Sequence, residues 1–428
     1  MKLGLRVGKL NQPECMIAAI LFMPFLFGTL FELIGLPTAL KYILDVMWIL
    51  LSALIVINFA KSVFAPSKQM WMIFAWCFGF FLFAAVTYFF HYQSLFYLAW
   101  GIRNNFRFYV FFAAAAIFLN RNMAKNCLKI FDVLFWICFA VCLVQFFLLG
   151  KNQDHLGGVF GVELGCNCYI NIFFVIVIIK SAVYYLNKKE RFVMFLLKSA
   201  AAISVAAMAE LKFFFVEYAV ILLMAILLSG LSARKLIVAV LGTVGVFVGV
   251  HITFVLFPEF ANIDSIDNIL KMLTEGGYGF DEALNRFTTI PVISSKFLTT
   301  AFLKLFGLGL GNCDTASYDF INTPFYEQNS FLRYNWFSTA FTYLETGAIG
   351  LLFTVGFFVL VFCFALHFNR RSAHGTEEKL FSQIAAIAAT VCVLIFVYDC
   401  SLRTEACYIM YFVLALPFIE KIRSNPIL

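Results

Sequence analysis

Apolar runs long enough to cross a lipid bilayer recur along most of this 428-residue chain. A helix needs about 20 mostly apolar residues to span the hydrocarbon core. Only 13% of the residues are charged, whereas about a quarter are charged in soluble domains. We therefore predict an all-α, polytopic membrane protein with about 12 transmembrane helices. The predicted spans are 16–35, 38–60, 70–90, 95–119, 129–149, 166–186, 193–210, 212–229, 236–257, 336–366, 380–399 and 405–422.

The basic residues between these runs predict the topology, because short loops rich in Lys and Arg stay in the cytoplasm. If the N-terminal segment is cytoplasmic, every other basic connection falls on the same side. The basic segments are Lys2/Arg6/Lys9, Lys61/Lys68, Arg121/Lys125/Lys129, Lys188/Lys189/Arg191, Arg234/Lys235, Arg370/Arg371/Lys379 and Lys421/Arg423. Both termini are therefore predicted to be cytoplasmic. Lys198, inside the short seventh run, is expected to extend toward the cytoplasmic headgroups.

One connection, between predicted helices 9 and 10, is much longer than the others and falls on the extracytoplasmic side. It divides the chain into 1–257 with nine helices, a loop domain at 258–335, and 336–428 with three helices. Its length predicts a folded cap rather than a simple connection.

Composition within this loop predicts three local features. Residues 264–275 read as a short helix capped near Asp264, and the helical pattern resumes at 281–305 around Pro291. The stretch 306–312, FGLGLGN, predicts a tight turn. A dinucleotide site is not indicated there, because no strand–turn–helix unit surrounds the glycines.

Six cations on the extracytoplasmic side, against the positive-inside trend, are candidate site residues. Arg103 and Arg107 lie four residues apart and so share one face of the fourth helix. The six candidates are Arg103, Arg107, Lys212, Arg286, Arg333 and Arg403. Arginine at membrane depth costs about 2.5–3.5 kcal/mol on insertion scales, so it marks a partner or a site. Forked guanidinium donors are well suited to paired phosphates, which favours a diphosphate ligand.

Each of these cations also has a structural interpretation. Asp399 lies four residues before Arg403, so the two are candidates for an ion pair. Glu210 and Glu217 flank Lys212 and are candidates to neutralise it. Arg333 is placed where it would anchor to lipid headgroups.

Carboxylates on the same side are candidate general bases, since a carboxylate can accept the proton of a sugar hydroxyl. The candidates are Asp154, Glu163, Glu217, Glu327 and Glu345. The alternative role for each is a buried ion pair or a helix cap. The 12 Cys residues lie mostly within apolar runs, and neither Cys nor His shows metal-ligand spacing. We therefore predict no metal site, no disulfide framework and no nucleic-acid surface.

Several stretches together resemble the O-antigen polymerase and ligase superfamily, whose polymerase members are called Wzy. Residues 151–161, KNQDHLGGVFG, resemble an NQD…GG.FG stretch of exopolysaccharide polymerases, and 101–108, GIRNNFRF, resemble a stretch on their fourth helix. The acidic–basic hairpin 210–212 is similar as well. Beyond it, Arg286 precedes an FGxGxG turn and the segment 343–352, YLETGAIGLL, as in the long-loop layout of the superfamily.

The resemblance implies a membrane glycosyltransferase of the GT-C, polyprenyl-phosphate type in the bacterial inner membrane. It would join undecaprenyl-diphosphate-linked repeat units of an O-antigen, capsule or exopolysaccharide at the extracytoplasmic face, with no cofactor or metal. The six outer cations would hold the diphosphates and stabilise the leaving group. Arg286 would be central to catalysis, and Glu327, followed by Asp154, would activate the acceptor. Membrane lipid and a chain-length regulator are the other expected partners.

Two other functions remain open at this level. Ligases of the superfamily carry a His-Asn pair before the Glu that corresponds to Glu345. In this chain the same neighbourhood reads Tyr334-Asn335-Trp336-Phe337, and the long loop contains no His. That difference favours a polymerase over an O-antigen ligase. A lipid-linked oligosaccharide flippase or another transporter is the remaining alternative, although such proteins commonly show internal repeats, and none is evident here.

Overall fold

The computed structural model describes residues 11–61, 64–229, 234–256, 283–315, 322–419 and 423–424. Apart from turns and connecting segments, these residues are helical, with one two-residue antiparallel pair of strands, β1 (Phe64–Ala65) and β2 (Arg423–Ser424). The α-helices are α1 (Gln12–Phe22), α2 (Ile43–Ala60), α3 (Lys68–Phe90), α4 (Leu95–Phe118), α5 (Arg121–Phe147), α6 (Asn167–Leu186), α7 (Phe192–Met208), α8 (Lys212–Leu228), α9 (Arg234–Leu256), α10 (Thr289–Lys296), α11 (Ala301–Phe306), α12 (Pro324–Asn329), α13 (Ser338–Arg371), α14 (Glu377–Tyr398) and α15 (Cys407–Ala415).

Within the described residues, seven helices are long and apolar enough to cross a membrane: α2 with the 3₁₀ turn before it, α3, α5, α6, α9, α13 and α14. The chain is therefore a helical membrane protein. Helix α7, with 17 residues, is shorter than a typical span. Each predicted span overlaps helical segments of the described chain, although the ends differ by up to eight residues, since α5 begins at Arg121.

The first predicted span, 16–35, is not one continuous α-helix. Helix α1 gives way to a 3₁₀ turn (Met23–Leu26) and then a π-helical turn (Gly28–Leu33). Pro24 explains the change, because proline has no N–H to donate within a helix and crowds the preceding turn.

Helices α6 and α14 form the centre of the bundle. In their apolar segments, 89% and 78% of the residues are buried inside the protein, against 11% for α2 at the periphery. Helix α15 is buried throughout and packs against α4, α6 and α14. The ends of these central helices therefore lie deep in the protein and can shape an internal cavity.

Contacts between loops bring predicted cytoplasmic segments together at one end of the bundle, here called the basic end. Arg121 contacts Glu378 at 3.1 Å, and Lys125 contacts Glu377 at 3.3 Å. The strands β1 and β2 join the α2–α3 loop to the C-terminal segment. Basic segments that are far apart in sequence therefore cluster in space, as the predicted topology requires.

The prediction that Lys198 extends to the headgroups is wrong. Its side chain is 3% exposed and lies 2.8 Å from Asp132 and 2.9 Å from Glu190. Lys180 contacts the same Asp132 carboxylate and donates to the Leu128 carbonyl. Two acids thus neutralise two lysines between α5, α6 and α7, and an unpaired charge there would be costly.

The described part of the long loop has a hydrophobic cluster of its own that includes the first turns of α13. The predicted helix 264–275 lies outside the described residues. The predicted segment 281–305 is two short helices, α10 and α11, rather than one. The chain leaves the helical conformation after Phe297, and Thr300 caps α11 by accepting from the Leu303 N–H.

The glycine stretch after α11 forms the predicted turn and packs closely on two helices. Helix α13 is broken at Gly347, which frees carbonyl groups that would otherwise bond within the helix. Leu308 donates to the Leu344 carbonyl at 2.7 Å. On the other side, a Cβ at Gly311 would lie 2.0 Å from the Tyr97 carbonyl oxygen of α4. The turn is therefore fixed against both helices, and Asp314 lies two residues after it.

Candidate functional site

A cavity of about 1050 Å³ lies at the end of the bundle opposite the basic end. It is bounded by the first turns of α4, α6 and α8, the end of α14, and the segments that precede α13 and α15. The cations in its lining are Lys41, Arg103, Arg107, Lys212, Arg286 and Arg403. The acids in its lining are Asp154, Glu163, Glu210, Asp314, Asp399 and Glu405. A concave site with several converging polar groups is the usual form of a ligand or active site.

Most of the site residues predicted from sequence come together here. Arg103, Arg107, Lys212, Arg286 and Arg403 all line the cavity, although they are spread over 300 residues of sequence, and so does Asp154. Arg333 and Glu327 do not lie in the lining that the described residues form.

Helix α4 places Arg103 and Arg107 on the cavity wall one turn apart. Arg103 Nε lies 3.0 Å from Asp45 Oδ2, and its guanidinium packs 4.7 Å from the Trp100 ring centroid. Arg107 is 2% exposed; its Nη1 lies 3.4 Å from Glu405 Oε1, and its Nη2 donates to the Arg403 carbonyl at 2.8 Å. Both arginines are thus held in fixed positions by carboxylates from other elements.

Arg403 pairs with Asp314, not with Asp399. Its Nη2 lies 3.0 Å from both carboxylate oxygens of Asp314, which is 2% exposed and also accepts from Asn104 Nδ2 at 2.7 Å. The guanidinium packs 3.9 Å from the Phe341 ring. The close packing of the glycine turn on α4 is what brings Asp314 to this position.

Arg286 reaches the cavity from the segment that precedes α10. Its Nε donates to the Tyr398 carbonyl at 2.9 Å, and its guanidinium lies 3.7 Å from the Tyr398 ring centroid. Phe213 stacks on the same ring at 3.9 Å. Burial lowers the pKa of the Arg286 guanidinium, and the neighbouring Tyr398 and Asp399 oppose this effect. Arginine still carries its charge at neutral pH.

The remaining charged groups lie nearer the rim. Lys212 contacts Glu210 at 3.0 Å, so one of its two predicted partners is confirmed. Lys41 lies 3.7 Å from Glu163, whose side chain is exposed. Asp154 is also exposed and accepts from Asn167 Nδ2 at 2.7 Å.

The two predicted residues outside the lining are exposed on the surface. Arg333 is exposed, has a left-handed backbone, and packs 5.5 Å from the Trp336 ring. Because Trp336 lines the cavity, Arg333 lies just beyond its rim. Glu327 is exposed on the short helix α12.

The sequence did not single out Asp45, Lys41 or Glu405 as parts of the site. Asp45 pairs with a residue 58 positions away, and Glu405 with one 298 positions away. Such pairs leave no local pattern in one sequence. For Glu405, the one available signal was its position two residues after the outer Arg403.

The site can bind an anionic group at a cluster of oriented cations and can hold a neutral polar chain against aromatic rings. Among the described residues, no three His, Cys, Asp or Glu side chains are arranged to hold a metal ion. Neither a protein-family model nor a curated protein sequence matches this chain.

Proposed function

We propose that this protein is a polysaccharide polymerase that joins undecaprenyl-diphosphate-linked repeat units. In this proposal the chain has twelve transmembrane spans and a GT-C-type architecture in the bacterial inner membrane. The basic end faces the cytoplasm together with both termini, and the cavity opens toward the extracytoplasmic side. The positive-inside trend supports this orientation.

The observation that carries the proposal is the convergence of five predicted arginines and lysines on one cavity at the end opposite the basic end. Loops on that side have no topological reason to gather cations. A membrane-embedded arginine cluster that faces a cavity is typical of a site for an anionic substrate. A lipid-linked diphosphate has its charged group at this depth and its apolar chain in the bilayer.

The volume of the cavity also fits two glycan ends better than one small ligand. Sites for drug-sized molecules have about 300–1,000 Å³, and this cavity reaches the upper end of that range. A polymerase must hold a donor diphosphate and an acceptor sugar together, so that the reaction becomes effectively intramolecular.

The reaction is a displacement at the anomeric carbon of the growing chain. An acceptor hydroxyl of the incoming repeat unit forms the new C–O bond, and the bond between the anomeric carbon and the diphosphate oxygen breaks. The electron pair leaves with polyprenyl diphosphate, whose developing charge the cavity cations stabilise. The hydroxyl proton passes to a base.

Chain extension by the purified protein tests this proposal. The protein is reconstituted in lipid with undecaprenyl-diphosphate-linked repeat units and without nucleotide, and the products are separated on a gel. We expect a ladder of chain lengths, and no ladder when the same glycan is supplied on a monophosphate carrier.

Other outcomes would replace the proposal. Transfer of glycan only when a different acceptor is added would identify a ligase. Movement of the intact lipid-linked glycan across the bilayer, without new bonds, would identify a flippase.

A further inference from the structure

Asp399 occupies a fixed position in the cavity wall. It directly follows the last residue of α14 and has an extended backbone. Its N–H donates to the Ile395 carbonyl at 3.0 Å, and its carbonyl accepts from the Ser338 N–H at 3.0 Å, which ties it to the start of α13. Its Oδ1 accepts from the Ser401 N–H at 2.8 Å. This short local bond orients the carboxylate.

The acids that share the cavity with Asp399 have other roles in the wall. Glu163, Glu210, Asp314 and Glu405 each lie within 4.0 Å of a lysine or arginine nitrogen. Among the described residues, the Asp399 carboxylate forms no such ion pair. Asp154 forms none either, but it is exposed at the rim. A carboxylate in an ion pair is a poor proton acceptor, because the neighbouring cation stabilises the charged form of the carboxylate.

The surroundings of Asp399 favour proton uptake. Burial raises the pKa of its carboxyl group, against the Ser401 bonds and the attraction of Arg286. The other titratable groups that face it are Glu217 from α8, the Cys168 thiol from α6 and Tyr398. Glu217 is fully buried.

Asp399 also lies next to the residue proposed to hold the leaving group. Arg286 contacts the carbonyl and the ring of Tyr398, the residue immediately before Asp399. A candidate base and an anion-binding cation are therefore adjacent on one wall of the cavity.

We propose that Asp399, rather than Glu327 or Asp154, is the general base that activates the acceptor sugar. This assignment rests on the proposed function. The acceptor hydroxyl oxygen attacks the anomeric carbon of the donor, and its proton passes to the carboxylate of Asp399. The bond to the diphosphate breaks with its electron pair, and polyprenyl diphosphate leaves. Asp399 then releases the proton to solvent through the cavity mouth.

The test compares Asp399→Asn with the wild type in the ladder assay, together with binding of undecaprenyl diphosphate. The amide oxygen of asparagine can still accept from the Ser401 N–H, so the local fold is kept. We expect chain extension to fall about 10²–10⁴-fold, with diphosphate binding unchanged or tighter. Glu377→Gln, an acid-to-amide change at the basic end, should leave the rate unchanged, and Asp399→Glu should recover part of it.

The pH dependence of the wild-type rate is a second readout that needs no variant. Because the base acts only when deprotonated, the rate should fall as the pH drops through the raised pKa of Asp399, above the ordinary value for aspartate. A rate that stays constant below that range would overturn the assignment. So would an Asp399→Asn variant that retains its rate within threefold, or a low-pH fall that disappears in Asp154→Asn instead. If the wild type forms no ladder at all, the proposed function fails and the role of Asp399 fails with it.

Discussion

Replacing Arg286 by alanine is expected to abolish chain extension while leaving the protein expressed and folded. Arg286 is the predicted cation that reaches the cavity from the long loop, where it lies on the carbonyl and ring of Tyr398. Removal of one oriented donor from a charge-stabilising site costs about 10²–10³-fold in rate. The loss in rate on removal of a charged donor to a diphosphate should lie at or beyond the upper end of that range. The measurement is the chain-length distribution in cells and the ladder rate in vitro.

A matched control is available in the same loop. Lys296 is exposed at the end of α10, so Lys296→Ala removes one positive charge without reaching the cavity. It should leave the rate unchanged. Arg286→Lys should retain an intermediate rate, because lysine keeps the charge but lacks the planar fork. Normal chain length in Arg286→Ala would remove Arg286 from the mechanism.

Replacing Arg107 by alanine is expected to destabilise the protein rather than only inactivate it. Arg107 is almost fully buried and holds both Glu405 and the Arg403 carbonyl, while Tyr169 donates to the second oxygen of Glu405. Loss of one member of a buried ion pair costs about 3–5 kcal/mol, because the other charge remains buried. We expect a lower melting temperature and a smaller monodisperse fraction in detergent.

Two comparisons separate this structural effect from a catalytic one. Lys125→Ala breaks a half-exposed pair with Glu377 and should cost no more than about 1 kcal/mol. The double change Arg107→Met with Glu405→Gln removes both charges and should recover much of the lost stability. The double variant should nevertheless remain inactive if the Arg107 guanidinium binds the substrate diphosphate. Wild-type stability in Arg107→Ala would contradict the structural role.

The positions of the helices could be predicted from the sequence because each depends on a local pattern. Runs of about 20 apolar residues mark spans, and the loop charges mark which ends lie together. The apolar pattern was less informative where a single proline or glycine changes the helix. Pro24 breaks the first run into three helical types, and Gly347 breaks α13 without interrupting its apolar composition.

The cations of the site could also be predicted, since charge on the extracytoplasmic side of a membrane protein is conspicuous. The ion-pair partners of these cations could not be predicted from the sequence. Asp399, four residues before Arg403, was the local candidate partner, but the structure pairs Arg403 with Asp314, 89 residues away. That choice depends on how the glycine turn packs on α4, which is a tertiary property. Because Arg403 pairs with Asp314 instead, Asp399 has no ion pair among the described residues.

Lys198 shows the same limit at the basic end. A lysine near the end of a short span predicts a side chain that extends to the headgroups. Its two carboxylate partners lie on α5 and in the α6–α7 loop, so their approach depends on helix packing. Charge balance within a bundle is thus harder to infer from one sequence than the presence of the charges.

The most direct test of the central claim is a cryo-electron microscopy structure of the protein in lipid nanodiscs with undecaprenyl-diphosphate-linked glycan bound. We predict that the diphosphate lies inside the cavity, with its oxygens within hydrogen-bonding distance of the Arg286 guanidinium and of at least one of Arg103, Arg107 and Arg403. The polyprenyl chain would leave between the helices toward the bilayer. A diphosphate bound at the basic end, or a cavity that stays free of lipid at saturating substrate, would contradict the account.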